Sequence, residues 1–109
     1  MDFKKYFIII VILILVYYLI NIPKVALKSD LIINYPNDLE EVSGVINVNG
    51  KANPNYKEIY YRIDLSEWEL ANGVSKWNFD LDTTKLSKGL HVIYVKAEDK
   101  VKAVRIKVV

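Results

Sequence analysis

The chain has 109 residues, enough for one domain and an appendage, and no cysteine, which excludes disulfide staples, thiol catalysis and cysteine-based zinc sites. Its 15 basic and 13 acidic residues give a net charge of +2, but the charge is unevenly placed. Residues 1 to 28 hold Lys4, Lys5, Lys24 and Lys28 against Asp2, while residues 29 to 109 hold the remaining 11 basic and 12 acidic groups, a balance of −1. The part able to fold as a domain is therefore near neutral and lacks the basic footprint of a nucleic-acid binder.

The first element is apolar. Residues 6 to 22, from Tyr6 to Ile22, contain one clearly polar side chain, Asn21. As a helix this run is about 25 Å long, close to the ~30 Å hydrocarbon core of a bilayer. Each central Ile, Leu, Val or Phe favours insertion by about 0.3–0.6 kcal/mol, which outweighs Asn21. Isoleucine and valine are mediocre helix formers in water, but in lipid the backbone must satisfy its own hydrogen bonds, and that requirement prevails. Tyr6 at one end and Tyr17 with Tyr18 at the other suit the interfacial aromatic belt. The run exceeds the usual apolar stretch of a cleaved signal, and no small-x-small cleavage site follows it, so residues 6–22 are expected to be an uncleaved transmembrane signal anchor in contact with the bilayer. Residues 1–5 then form a short cytoplasmic N-terminus. Pro23 ends the helix, and residues 23–30 form a juxtamembrane linker. Lysines flank the helix on both sides; their tighter clustering before it puts the N-terminus inside and the C-terminal domain outside the cytoplasm of a single-pass cell-membrane protein.

Residues 31–109 read as short strands separated by turn signals about every ten residues, the pattern of an all-β sandwich. In chain order these are Leu31 to Pro36; Val42 to Val48, closed by Asn49-Gly50; Glu58 to Leu65; a short strand around Trp68 and Leu70, closed by an Asn72-Gly73 hairpin turn; Lys76 to Leu81; His91 to Glu98; and Val101 to Val109. The count is seven. Alternation places Ile59, Tyr61 and Ile63, Trp77, Phe79 and Leu81, and His91, Ile93, Val95 and Ala97 inward. Asp82, Thr83 and Thr84 are suited to capping a one-turn helix, with Leu86 closing the end of the core and Gly89 supplying a left-handed backbone.

The order of several short pieces carries a resemblance. Tyr35-Pro36, Val42-Ser43-Gly44-Val45-Ile46-Asn47-Val48, Gly50, Ile59-Tyr60-Tyr61-Arg62-Ile63-Asp64, Trp77-Asn78-Phe79-Asp80-Leu81-Asp82-Thr83-Thr84, Leu86, Gly89-Leu90-His91 and Val95-Lys96-Ala97-Glu98-Asp99 resemble the prokaryotic immunoglobulin-like domains of cell-surface proteins and secreted glycosidases. The resemblance implies a seven-stranded immunoglobulin-like β-sandwich behind the membrane helix. One departure is visible: the family has glycine after the strand-ending Asp, whereas Leu65-Ser66 follows Asp64 here, so a wider hairpin is expected.

No catalytic constellation is evident. His91 is the lone histidine and reads as a hydrogen-bonded corner residue, with no serine expected within reach, and neither a metal triad nor a Ser-His-Asp set is anticipated. Asp80, Asp82, Glu98 and Asp99 are the carboxylates that a calcium ion would use, but Asp82 is already needed as a cap, and calcium is not expected. No cofactor is expected either. The outward residues are more informative. Tyr60, Arg62, Tyr94 and Lys96 should share one exposed sheet face, joined by Arg105 and Lys107 from the last strand, and tyrosine and arginine are favoured in interfaces. If the chain ends with that last strand, no further domain is presented, and the partner is another membrane or surface protein. The expected function is thus a non-catalytic structural or interaction subunit; the alternative is a module binding a surface polysaccharide, with Tyr60, Tyr94 or Trp68 stacking on sugar.

Overall fold

The computed structural model describes residues 3–20 and 30–109. Helix α1 runs from Phe3 to Ile20, 18 residues, or about 27 Å at ~1.5 Å each. It begins three residues earlier than the apolar run suggested, taking in Lys4 and Lys5. Every one of its side chains is exposed. Asn21, Ile22, Pro23 and all of the expected linker, residues 23–30, except Asp30 lie outside the described residues.

Eight strands follow rather than seven: β1 (Leu31–Tyr35), β2 (Glu40–Val42), β3 (Val45–Ala52), β4 (Tyr60–Ile63), β5 (Glu69–Leu70), β6 (Lys76–Asp82), β7 (Gly89–Ala97) and β8 (Lys100–Val108). They form a three-stranded sheet in the order β1-β3-β6 and a five-stranded sheet in the order β2-β8-β7-β4-β5. The extra strand arises at the start of the domain. Chain leaving β1 passes the cis Tyr35-Pro36 bond and Leu39, at φ +64°, then joins the other sheet as β2, parallel to β8. The segment expected as one strand from Val42 to Val48 is accordingly split at Ser43-Gly44, where Gly44 has φ +69°. That turn is tied to the one-turn helix Thr83–Lys85, since buried Thr83 donates from both its backbone N–H and its hydroxyl to the Gly44 carbonyl, at 2.9 and 2.6 Å.

The expected inward residues line the core except His91, which stands at its edge bonded to Asp64 and Ser87. Val48, Trp77, Phe79 and Leu81 from the three-stranded sheet and Ile93, Val95, Ala97, Val104, Ile106 and Val108 from the five-stranded one join Ile59, Leu31 and Val42 in a single buried cluster, with Tyr61, Ile63 and Leu86 partly buried against it. Each fully buried Val, Leu, Ile or Phe among them contributes roughly 1.5–3 kcal/mol. Asp82 caps the one-turn helix as anticipated, accepting from the Thr84 N–H at 3.0 Å.

Two turn readings are corrected. Asn49-Gly50 does not close a strand; both residues lie inside β3, paired with Asn78 and Trp77 of β6. Gly50 is there for space: a Cβ on it would stand 1.9 Å from the Ile32 carbonyl oxygen and 2.3 Å from the Trp77 ring. Asn72-Gly73 does not turn a hairpin within one sheet, because β5 and β6 belong to different sheets. It starts the crossing between them, and Asn72 exchanges two backbone hydrogen bonds with Asn78 at 2.8 and 2.9 Å.

Gly50→Ala should therefore destabilise the chain by about 1–3 kcal/mol or more through forced displacement of Trp77 and β1. Gly44→Ala, whose added methyl meets open space and pays only for its backbone angle, should cost about 1 kcal/mol. Urea unfolding of the full chain in detergent micelles, followed by circular dichroism, measures both; equal losses would remove the packing role assigned to Gly50.

Candidate functional site

The outer face of the five-stranded sheet gathers most of the residues anticipated from alternation. β4 and β7 run antiparallel with Tyr60 opposite Lys96 and Arg62 opposite Tyr94. β5 pairs on the other side of β4, Leu70 opposite Tyr60, which brings Trp68, just before β5, beside Arg62. The result alternates rings and cations. The Arg62 guanidinium carbon lies 4.7 Å from the Trp68 ring centre and 5.1 Å from that of Tyr94. The Lys96 ammonium lies 4.4 Å from Trp68 and 5.8 Å from Tyr60. Each contact is within the ~6 Å at which a cation is attracted to the negative face of a ring. All five side chains are half-buried. The Tyr60 hydroxyl donates to the Glu58 carboxylate, which holds the phenol above its ordinary pKa.

Arg105 and Lys107 are on the same outer face but outside this cluster, in register with Val92 and Leu90. Asp38 engages Arg105 from the β1–β2 crossover, accepting from its backbone N–H at 2.9 Å, from Nε at 3.1 Å and from Nη2 at 2.6 Å. These hydrogen bonds hold Asp38 at a pKa of about 2. Lys107 stands opposite Glu41 of β2. Trp68, expected within a short strand with Leu70, precedes β5 instead, so alternation did not place it on this face.

His91 is not isolated from serine, contrary to expectation. Its Nδ1 meets the Asp64 carboxylate at 2.6 Å, and its Nε2 lies 3.2 Å from the Ser87 hydroxyl and 2.7 Å from the Ser87 carbonyl oxygen. The connectivity is that of a Ser-His-Asp set, but the second ring nitrogen is directed at a carbonyl, which only accepts. Both nitrogens thus face acceptors, an arrangement suited to imidazolium, and a ring in that state has no lone pair with which to take a proton from serine. The Asp64 hydrogen bond raises the His91 pKa against the opposing effect of burial. For Asp64, burial alone would raise the pKa, but hydrogen bonds from His91 and from the Val92 N–H, the latter at 2.9 Å, leave it lowered. Asp64 has φ +52°, which aspartate tolerates better than most residues, and the trio joins the β4–β5 connection to the start of β7. That connection, residues 64 to 68, is wide, as the missing glycine suggested, with Leu65 at its exposed tip.

The outer face of the three-stranded sheet carries a shallow depression of about 270 Å³ lined by Asn34, Asn47, Asn49, Asn78, Lys51 and Lys76 among others. The Asn47 amide nitrogen donates to Asp80 at 3.0 Å and to Asn78 at 3.3 Å. Asp80 and Asp82 lie on this face, Asp82 opposite Val45 at the far end of β3, whereas Glu98 and Asp99 turn the chain beside the Lys100–Asp30 pair. The carboxylates considered for calcium are therefore at opposite ends of the domain, and no group of three potential ligands converges among the described residues.

No protein-family model and no curated protein matches the chain. Among solved structures it is similar to the X-ray structure of the endo-beta-1,4-mannanase from Thermotoga petrophila, with a TM-score of 0.62 at 18% identity. The match covers 75% of this chain and 20% of that one, so it is a likeness of fold to a fifth of the larger protein.

The His91–Asp64 contact makes stability depend on pH in a defined direction. The raised His91 pKa contributes stability that is fully present below the ordinary imidazole value of 6.5 and is lost as pH rises through the higher folded value. The lowered Asp64 pKa contributes stability present above 3.8 and lost as pH falls through the lower folded value. The urea midpoint should accordingly peak in mildly acidic solution and fall toward alkaline pH, and His91→Gln should abolish the alkaline fall. A midpoint in the wild type that is flat from about pH 6 to 9 would exclude an imidazolium at this position.

Proposed function

We propose that this chain is a single-pass membrane protein in which α1 anchors an immunoglobulin-like β-sandwich outside the cytoplasm, and that the sandwich is a non-catalytic subunit that docks on another membrane or surface protein. The observation that carries docking is the cluster of Tyr60, Arg62, Trp68, Tyr94 and Lys96 on one sheet face. Trp, Tyr and Arg are the residue types that dominate binding energy at interfaces, and flanking Leu70 and Val101, 59% and 49% exposed, supply apolar contact beside them. The anchor is supported by a helix of membrane-spanning length whose apolar side chains are all exposed. The sandwich is supported by two sheets sharing one core and by a chain that crosses from β1 in one sheet to β2 in the other.

In-cell crosslinking through a C-terminal tag, followed by detergent extraction and mass spectrometry, should recover one protein near one-to-one. The double variant Tyr60→Ala, Tyr94→Ala should lower that recovery about tenfold or more with the circular dichroism spectrum unchanged, since losing two anchors costs at least ~1 kcal/mol each. Recovery of the bare chain, or recovery indifferent to the double variant, would sink the reading. Resistance of the chain to alkaline carbonate extraction tests the anchor separately.

The asparagine-lined depression favours a second reading, recognition of a surface polysaccharide. Side-chain amides both donate and accept, which suits neutral hydroxyls, and the similar structure belongs to an enzyme named for acting on mannan. Retardation in a gel containing β-1,4-mannan, lost in Asn47→Ala, Asn78→Ala, would support it; unaltered mobility would dismiss mannan as the ligand.

A further inference from the structure

Building on the docking reading, the electrostatics of the same cluster narrow what its partner must carry. On a solvated sheet, cations are ordinarily set across from carboxylates. Several cations of this domain have such a partner: Asp64 meets His91, Asp30 meets Lys100 and Asp38 meets Arg105, at 2.6, 2.8 and 2.6 Å, and Glu41 stands in register with Lys107, whereas on the other sheet Lys51 and Lys76 stand opposite each other. Arg62 and Lys96 are set against rings instead. Their cross-strand neighbours are Tyr94 and Tyr60, Trp68 lies against both, and among the described residues neither cation has a carboxylate within ion-pairing distance. The Arg62 Nε atom is moreover shielded from solvent with no hydrogen-bond acceptor.

A guanidinium held between two rings and partly stripped of water is preorganised. Part of the dehydration and side-chain ordering that docking would require is already present in the free chain. What such a group accepts best is a planar anion with two oxygens matching its donor fork, and a carboxylate has that shape. Lys96, on the neighbouring strand, can serve a second carboxylate as a point charge. The apolar margin decides the kind of molecule. Leu70 and Val101 close the two ends of the row Leu70–Tyr60–Lys96–Val101, and Ala103 lies beyond Tyr94. An acidic polysaccharide would match the two cations and leave these side chains uncovered, whereas a protein surface mixing Asp or Glu with aliphatic residues covers both.

We infer that Arg62 and Lys96 receive carboxylates from an acidic, partly apolar patch of the protein partner, with Trp68, Tyr60 and Tyr94 walling the site. The full chain, ¹⁵N-labelled in nanodiscs of neutral lipid, is titrated with acetyl-(Glu-Leu)₃-amide and with its Gln counterpart, reading the side-chain signals of Arg62 Nε–H and Trp68 Nε1–H. The Glu peptide should move both signals, with affinity falling several-fold between low and high salt as screening shortens and about fivefold or more in Arg62→Gln; the Gln peptide should leave them in place. Equal shifts from both peptides, or no shift from either, would overturn the inference. So would shifts produced only by oligogalacturonate or by nanodiscs containing anionic lipid, which would assign the cations to a polysaccharide or a membrane surface. A photocrosslinker at Val101 in cells keeps the two claims apart. A protein crosslink that survives in Arg62→Gln, Lys96→Gln would leave docking standing and remove its carboxylate chemistry, while the absence of any protein crosslink would remove docking itself.

Discussion

A cysteine-free domain of some 80 residues has to fix two sheets to one another by packing, and the Tyr61–Phe79–Trp77 stack is the contact on which the rest depends. Phe79 and Trp77 come from β6 of the three-stranded sheet and Tyr61 from β4 of the five-stranded one. The Tyr61 and Phe79 rings are parallel within 3° with centres 3.6 Å apart, and Trp77 continues the stack at 6.3 Å. With no cystine available, these rings bridge the two sheets together with the aliphatic side chains of the shared core. The arrangement is directional. The Tyr61 hydroxyl donates to Glu69 at 2.8 Å, and burial together with that bond pushes the phenol up to about 12. Trp77 reaches its place because Gly50 leaves room beneath it.

The stack also fixes what lies on the opposite side of β4. Strand side chains alternate between faces, so seating Tyr61 and Ile63 against the core sends Tyr60 and Arg62 outward beside Lys96 and Tyr94. A slip of one residue would bury the arginine and expose the core tyrosine. The interior packing and the candidate docking face are thus set by one register, and the hydrogen bond between Tyr61 and Glu69 holds β5, with Trp68 before it, to the same frame.

What the sequence disclosed and what it concealed follow from the range of the interactions. Period-two alternation is local, so 59–63, 77–81 and 93–97 could be assigned inward and outward faces, and with them four of the five residues in the cluster. Trp68 escaped because its position depends on how β5 pairs with β4. The roles of Arg105 and His91 escaped for a related reason: Asp38 is 67 residues from Arg105, and Asp64 is 27 from His91, distances at which no local pattern signals a partner. Asn49-Gly50 shows a different failure. The same dipeptide suits a turn or a close approach of two strands, and only Trp77, on another strand, decides between them. The crossing from β1 to β2 was likewise invisible, since proline marks the end of a strand without saying that the chain resumes in the other sheet.

That crossing has a mechanical consequence. β2 lies parallel to β8, with Leu39 N–H bonded to the Arg105 carbonyl at 2.7 Å and Val109 N–H bonded to the Val42 carbonyl at 3.0 Å. When the helix end of the chain and the end of β8 are drawn apart, two parallel strands are pulled along their own length in opposite directions. Their hydrogen bonds, and the Asp38–Arg105 fork beside them, are then loaded in shear and must yield together, whereas strands peeled from an end give way one bond at a time. A domain tethered by its N-terminus and gripped on its five-stranded sheet would carry tension through this short pair, which acts as a mechanical clamp.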